Sequence, residues 1–153
     1  MRRPIAVVAV LVLAATALAG FTAIASSATS RPATVKTGTS ALGRIVVDGQ
    51  SRTLYLFEKD RKGKSACAGA CAQSWPPLLT KGAPKAASAA KASLLGTIKR
   101  SDGTTQVTYN EHPLYTFAGD QGKRGATKGE GLDAFGAKWY VVAAKGTEKT
   151  GGY

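Results

Sequence analysis

The chain has 153 residues, which leaves room for one modest domain and excludes an assembly of several domains. It carries 21 lysines and arginines against nine acidic residues, giving a formal net charge of +12. A surface of this charge attracts anionic polymers through a long-range field, although a purely solubilising role is the alternative interpretation.

Residues 1–25 predict a secretory signal. Arg2 and Arg3 make the start basic, and the chain then runs to Ala25 without a charge. Small residues, Ala23 and Ala25, occupy the two positions that a signal peptidase reads, so we predict cleavage after Ala25. The alternative is an uncleaved N-terminal anchor, because the apolar segment could just span a bilayer of about 30 Å. Cleavage removes both arginines and no acidic residue, which lowers the net charge from +12 to +10.

An export signal argues against nucleic acid as the partner of the basic surface. Outside the membrane, the available anions are cell-wall polymers and acidic lipid head groups. After signal cleavage, the sequence predicts no integral membrane span. We therefore expect a secreted or envelope-associated protein.

The ends of the mature chain are predicted to be unstructured. Residues 26–40 are rich in Ser, Thr, Ala and Pro without apolar periodicity, which indicates a flexible tether with order beginning near Leu42. Residues 145–153 are predicted to form a mobile tail. The folded domain is expected to cover residues 41–144.

Within that domain the sequence repeats itself, with repeat one at about 42–80 and repeat two at about 94–144. Tyr, Phe and Asp recur at the same mutual spacing, a Leu precedes each Tyr, and each copy leads to a Trp. The matching residues are Tyr55, Phe57, Asp60 and Trp75 in repeat one and Tyr115, Phe117, Asp120 and Trp139 in repeat two.

Each repeat is predicted to form strand, turn and strand. β-Branched and aromatic runs are broken by Asp48-Gly49 and Asp102-Gly103, which are favourable turn dipeptides. Asn110-Glu111 predicts a further tight turn, although Glu is a poorer choice there than Gly. Residues 81–93 are expected to be loop or marginal helix, and 119–136 a long glycine-rich loop. The fold class is mainly β, with two pseudo-symmetric antiparallel β repeats and a short disulfide-tied helical turn.

Cys67 and Cys71 are predicted to form a disulfide, because an even cysteine count in an exported chain favours one. The segment around them suits a short helical turn that ends at Pro76. The alternative is a metal or redox site formed by the two cysteines with His112. Catalytic thiol pairs usually have two intervening residues, whereas this pair has three.

Asp60 and Asp120 have two interpretations. They could bind a cation or ligand together across a pseudo-twofold axis, or each could cap the turn that follows its strand. The tyrosines and phenylalanines of the motif also have two interpretations. A Tyr and a Phe spaced by two residues lie on the same face of a strand. They could pack in the core or form an aromatic platform for sugars, and the same alternatives hold for Trp75 and Trp139.

No catalytic signature is present in the sequence. It has no Gly-x-Ser-x-Gly elbow, and its single histidine has no evident nucleophile or orienting acid. The glycines of residues 119–136 are too irregular for a phosphate-binding motif. We therefore expect a non-enzyme without a cofactor.

Tyr55-Leu56-Phe57-Glu58-Lys59-Asp60 and Tyr115-Thr116-Phe117-Ala118-Gly119-Asp120 carry a resemblance. Over about residues 42–143 the chain resembles a bacterial secreted-repeat family, predicted lipoproteins with a Tyr-x-aromatic-x-x-Asp motif and undetermined function. The resemblance implies export and a tandem repeat and supplies no activity. Members often carry a lipid-modified cysteine, but Phe21 stands at that place here, so we predict no lipid anchor.

These observations predict an exported, non-enzymatic binding or structural module of the cell envelope or extracellular space, with anionic wall polymers or acidic lipid surfaces as candidate partners. The alternative is an extracytoplasmic metal-binding or redox protein that uses Cys67, Cys71 and His112.

Overall fold

A computed structural model describes residues 31–61 and 63–148. The protein is mainly β, as predicted, and its helical segments are short. The strands are β1 (Thr34–Ser40), β2 (Gly43–Asp48), β3 (Tyr55–Phe57), β4 (Lys85–Ala87), β5 (Leu95–Lys99), β6 (Thr105–Tyr109), β7 (His112–Pro113), β8 (Asp133–Ala134) and β9 (Ala137–Val141). The helix α1 is Ala70–Ser74, and 3-10 turns lie at Ala92–Leu94 and Ala118–Asp120.

The strands form three small sheets, in the orders β2-β1-β4, β3-β9-β8 and β5-β6-β7. The middle sheet joins the two repeats, because β3 belongs to repeat one and β9 to repeat two. They are antiparallel, with Tyr55 opposite Val141 and Phe57 opposite Trp139. The middle sheet therefore needs a strand from each repeat, whereas the sheet β5-β6-β7 lies within repeat two.

The predicted flexible tether over residues 26–40 is wrong for its second part. Residues 34–40 form β1, which pairs with β2 in antiparallel register from Val35–Asp48 to Ser40–Gly43 and with β4 in parallel register. Val35 is fully buried, while the rest of β1 is polar or small. Backbone hydrogen bonds to two neighbours hold this strand, so it needs little apolar surface of its own.

Two predicted loops and the predicted tail are more ordered than expected. β4 lies inside residues 81–93, and β8 lies inside residues 119–136. Residues 145–148 are hydrogen bonded, since the Ala143 amide donates to the Thr147 carbonyl at 2.8 Å and the Asn110 side-chain amide to the Gly146 carbonyl at 3.0 Å. The mobile tail was therefore predicted to begin too early. Residues 149–153, like the signal segment 1–25 and residues 26–30, lie outside the described residues.

The core has two layers on opposite sides of β3. Successive side chains of a strand point to opposite faces, and β3 is buried on both. The first layer is aromatic and contains the disulfide: Ile45, Val47, Tyr55, Phe57, Cys67, Cys71, Trp75, Tyr115, Trp139 and Val141. The second layer is mostly aliphatic: Val35, Val46, Leu54, Leu56, Val107, Tyr109, Leu114 and Val142.

The turn between β6 and β7 is the tight one that the sequence predicts at Asn110-Glu111. Both residues have positive φ, 50° at Asn110 and 68° at Glu111. This backbone suits the right-handed twist of paired strands. Glu111 therefore adopts a conformation that glycine would take more easily.

Among residues 31–61 and 63–148, no helix combines the length and the apolar composition that crossing a bilayer requires.

Candidate functional site

The two copies of the Tyr-x-Phe-x-x-Asp motif meet at their tyrosines. The Tyr55 amide donates to the Tyr115 carbonyl at 2.8 Å, and the Tyr115 amide donates to the Tyr55 carbonyl at 3.0 Å. This antiparallel bridge between equivalent residues places a local twofold axis between the repeats. The backbone thus brings together two residues that are 60 positions apart in the sequence.

The side chains of the motif pair across this axis. The Tyr55 hydroxyl donates to Asp120 Oδ2 at 2.7 Å, and the Tyr115 hydroxyl donates to Asp60 Oδ2 at 2.7 Å. The tyrosine of each repeat therefore binds the aspartate of the other repeat. Each carboxylate has its own tyrosine partner, so the structure gives no support to a cation shared by Asp60 and Asp120.

The second oxygen of each aspartate binds the loop that follows its own strand. Asp60 Oδ1 accepts the Ala66 amide at 2.7 Å, and Asp120 Oδ1 accepts the Lys128 amide at 3.0 Å. The capping interpretation thus describes one oxygen of each carboxylate. Each aspartate fixes its own loop with Oδ1 and holds the other repeat with Oδ2.

The phenylalanines and tryptophans of the two repeats form a single stack of four rings. Its order is Phe57, Trp139, Trp75 and Phe117, with ring centroids 4.0, 4.0 and 4.2 Å apart and interplanar angles of 6°, 3° and 25°. Rings from repeat one and repeat two alternate, so the stack follows the same twofold symmetry as the hydrogen bonds. Stacked aromatic pairs contribute roughly 0.5–1.5 kcal/mol each beyond the area that they bury.

The tyrosine rings complete this arrangement from the side. Tyr55 meets Trp75 edge-on at 5.3 Å, and Tyr115 meets Trp139 edge-on at 5.1 Å. Trp75 and Trp139 are 1% and 0% exposed. The aromatic residues of the motif therefore pack in the core, and only Phe117 is partly exposed. This burial does not suit the alternative of an aromatic platform for a flat surface ligand.

The disulfide between Cys67 and Cys71 is present, as predicted. It lies beside the ring stack and precedes Trp75, whose amide donates to the Cys71 carbonyl at 2.7 Å. The bond thus fixes the turn that delivers Trp75 to the core. Both sulfurs are engaged in it, so they cannot serve as thiolate ligands in this state. Within the described residues, no group of three or more His, Cys, Asp or Glu side chains could hold a metal ion.

His112 lies on β7. It is half-buried and lines a cavity of about 330 Å³ together with Asp60 and Arg61. Burial lowers the pKa of His112 below its usual value, with partial opposition from Glu148 and Glu111. The metal or redox alternative therefore has neither its thiolates nor a histidine grouped with them.

Burial shifts the pKa values of Tyr55, Tyr115 and Asp60 in the two crossed pairs, Tyr55–Asp120 and Tyr115–Asp60. It raises the pKa of both Tyr55 and Tyr115, and the neighbouring carboxylates raise it further. Burial also raises the pKa of Asp60, against the Ala66 amide and the Tyr115 hydroxyl, which lower it. Both tyrosines are therefore neutral hydrogen-bond donors at ordinary pH.

Sequence reasoning missed Arg100. Its side chain is only 5% exposed, and Ser65 links it to the Tyr115–Asp60 pair. Nη1 donates to Ser65 Oγ at 2.9 Å and to Gln106 Oε1 at 2.7 Å, and Nη2 donates to the Cys67 carbonyl at 2.6 Å. Ser65 Oγ lies 2.7 Å from the Tyr115 hydroxyl. An arginine next to an Asp-Gly turn resembles a surface residue, so the sequence contains no signal for this network.

The family described as a secreted repeat of unknown function matches the chain over residues 36–79 and 96–143. Together these two segments span more than half of the sequence, and each contains one copy of the motif. No curated protein and no solved structure gives a significant match.

Proposed function

The chain belongs to the family of secreted repeats of unknown function, and from this premise we propose that it acts as a non-enzymatic binding or structural module outside the cytoplasm. Secretion follows from the family, and the described part has a mainly β fold with an intact disulfide. The absence of catalysis and the envelope location are parts of the proposal.

The observation that carries the proposal is that the polar groups of the motif are occupied internally. Tyr55 and Tyr115 each donate to a carboxylate, and Asp60 and Asp120 each accept from a tyrosine and a backbone amide. A catalytic group needs a free position toward its substrate and a suitably tuned pKa. Buried, mutually bonded pairs instead support a role in holding the two repeats as one rigid body.

The basic surface supports anionic polymers of the envelope as partners. The mature chain would carry a net charge of +10, and most of the described lysines and arginines are exposed. Charges of one sign on a rigid body raise the rate and strength of association with a polyanion at low salt. Salt screens this attraction, with a Debye length of about 10 Å at 0.1 M.

Retention of the purified protein on isolated cell walls at low and high salt tests the proposal. We expect retention at low salt and release at high salt. A secreted acidic protein of similar size serves as the control for nonspecific trapping. A protein that stays unbound at low salt would contradict the electrostatic role.

A mass spectrum of the mature secreted protein tests the remaining parts of the proposal. We expect a chain that begins at Ser26, carries no lipid and lacks the two thiol hydrogens of Cys67 and Cys71. Alkylation after unfolding should find no free thiol. Two free thiols with a stoichiometric metal would instead favour a metal-binding function.

A further inference from the structure

We propose that a cavity beside the disulfide binds a phosphate group of an anionic polymer. This site gives the proposed envelope function a specific contact, and its biological setting rests on that function. The cavity has a volume of about 300 Å³. Its polar lining consists of Lys64, Ser65, Lys99, Arg100 and Ser101, and none of the described lining residues is acidic.

Arg100 supplies a fixed positive charge at this cavity. Its three hydrogen bonds, to Ser65, Gln106 and the Cys67 carbonyl, hold the guanidinium in one position. Its buried Nε has no hydrogen-bond partner among the described residues. The mostly exposed carboxylate of Asp102 forms an ion pair with this nitrogen at 3.7 Å, which is beyond hydrogen-bond distance. The internal partners of Arg100 thus leave part of its donor capacity unused.

Two ammonium groups stand at the cavity in addition to the guanidinium. Lys64 and Lys99 are exposed, and neither forms an ion pair with another described residue. Lys99 Nζ donates to Thr105 Oγ1 at 2.8 Å, which leaves its other two hydrogens available. Lysine is a flexible point charge that can close on a bound anion.

The combination of donors favours a phosphate group over a carboxylate. The ammonium groups of Lys64 and Lys99 and the Ser101 hydroxyl line a space that is large enough for a tetrahedral anion and the chain next to it, and the charge of Arg100 lies in its wall. A phosphate presents three or four acceptor oxygens and can use several donors at once, whereas a carboxylate has two. The disulfide next to Ala68 fixes the wall of the cavity that contains Cys67.

The test measures binding of inorganic phosphate and of polyphosphate to the folded protein by calorimetry at low salt. We expect polyphosphate to bind more tightly than phosphate, because neighbouring phosphates also meet the basic surface. The double variant Lys64→Gln/Lys99→Gln should bind polyphosphate at least about tenfold more weakly. Vesicles containing phosphatidylglycerol form a separate arm that distinguishes a lipid head group from a polymer.

A charge-matched control keeps the test specific. Lys85→Gln/Lys91→Gln removes the same two charges from exposed lysines that do not line the cavity. We expect this control to bind polyphosphate within about twofold of the parent protein, since only the screened long-range attraction changes. Equal weakening of both double variants would overturn the site, and so would binding to vesicles without binding to polyphosphate.

Failure of the site and failure of the proposed function have different signatures. Wall retention without binding of phosphate or polyphosphate would overturn the site and leave the envelope function standing. Polyphosphate binding that depends on Lys64 and Lys99, without wall retention, would support the site and overturn the envelope function.

Discussion

Repeat one and repeat two place the same residues in the same geometry but hold their loops by different means. Between Asp60 and Trp75, the chain is closed by a disulfide and the short helix α1. Between Asp120 and Trp139, it contains several glycines instead, and Gly129 lies directly against the rings of Trp75 and Tyr55. One loop is fixed by a covalent bond and the other by close packing and backbone hydrogen bonds.

The two crossed pairs also differ in their surroundings. Asp120 is 4% exposed, and its tyrosine partner also accepts the Gly129 amide at 3.3 Å. Asp60 is only partly buried, and its partner Tyr115 lies next to Ser65 in the network of Arg100. The motif therefore fixes the pairing between repeats, while the loop behind each aspartate can be restrained in either way.

The largest expected effect comes from the centre of the ring stack. Trp75→Ala and Trp139→Ala should each lower the free energy of unfolding by about 3–5 kcal/mol, because each removes a ring that is stacked on both sides. If the repeats are equivalent in packing, the two losses should be similar in urea titrations. Phe135→Ala, at a residue that is 43% exposed, should change stability by less than about 0.5 kcal/mol. A small loss of unfolding free energy for either tryptophan substitution would contradict the stacked arrangement.

Removing one hydroxyl from a crossed pair should cost about 1.5–3 kcal/mol, since the hydrogen bond has a charged acceptor. We expect Tyr55→Phe to cost more than Tyr115→Phe, because Asp120 is more buried than Asp60 and the Gly129 amide also loses its acceptor. Chemical denaturation of the two single variants measures this difference. A larger loss of stability for Tyr115→Phe than for Tyr55→Phe would contradict this expectation.

Double-mutant cycles distinguish crossed pairing from pairing within a repeat. Tyr55→Phe should couple to Asp120→Asn and Tyr115→Phe to Asp60→Asn. The combination of Tyr55→Phe with Asp60→Asn, within one copy of the motif, is the matched control and should be close to additive. Coupling in the control and additivity in the crossed pairs would refute the arrangement.

Loss of the disulfide should cost about 2 kcal/mol, because a ring this small restricts the unfolded chain only modestly. The variant Cys67→Ser/Cys71→Ser and the reduced parent protein should unfold at similar denaturant concentrations. The hydrogen bond between the Tyr55 hydroxyl and Asp120 should persist in this variant. Hydrogen exchange of the Lys128 amide, which donates to Asp120, measures this. Complete unfolding of the variant in buffer would show that the disulfide stabilises the whole fold and not only the loop of repeat one.

Gly129→Ala tests the corresponding restraint in repeat two. A Cβ there would lie 2.7 Å from the Trp75 ring and 2.8 Å from the Tyr55 ring, so one of them must move. Since only one methyl group is added, we expect a loss of about 1–2 kcal/mol in thermal or chemical unfolding. Gly49→Ala, where the nearest atom would lie at 3.5 Å, is the control for general glycine replacement. Equal effects of both substitutions would exclude close packing as the restraint.

The smallest expected effect is a pH dependence from Asp60. Its pKa in the folded protein lies above the ordinary value of 3.8 because of burial, so the folded state binds the proton more tightly. This contribution to stability is fully present below pH 3.8 and is lost as the pH rises through the higher folded value. The stability of the parent protein relative to Asp60→Asn should therefore fall as the pH rises from 3.8 through the higher pKa of the folded state. A relative stability that rises over this range would show that the carboxylate is favoured in the folded state.

Several parts of the fold were predictable because their signals are local. The duplicated spacing of Tyr, Phe and Asp identified the repeats, and the two closely spaced cysteines identified the disulfide. The Asn110-Glu111 turn was also found, since turn dipeptides act on the backbone next to them. Strand β1 was not found, because its polar residues have no apolar alternation and β2 and β4 hold it through backbone hydrogen bonds.

The sequence by itself determined that the chain holds two copies of an aromatic and acidic strand unit, with a disulfide in the first. Only the tertiary structure decided that each tyrosine binds the other repeat's aspartate, that four rings alternate in one stack, and that Arg100 is buried. Each of these contacts joins residues that lie far apart in the sequence. Hydrophobic and turn patterns report on a strand's own neighbourhood, whereas the choice of a distant partner depends on how the strands of both repeats pack together.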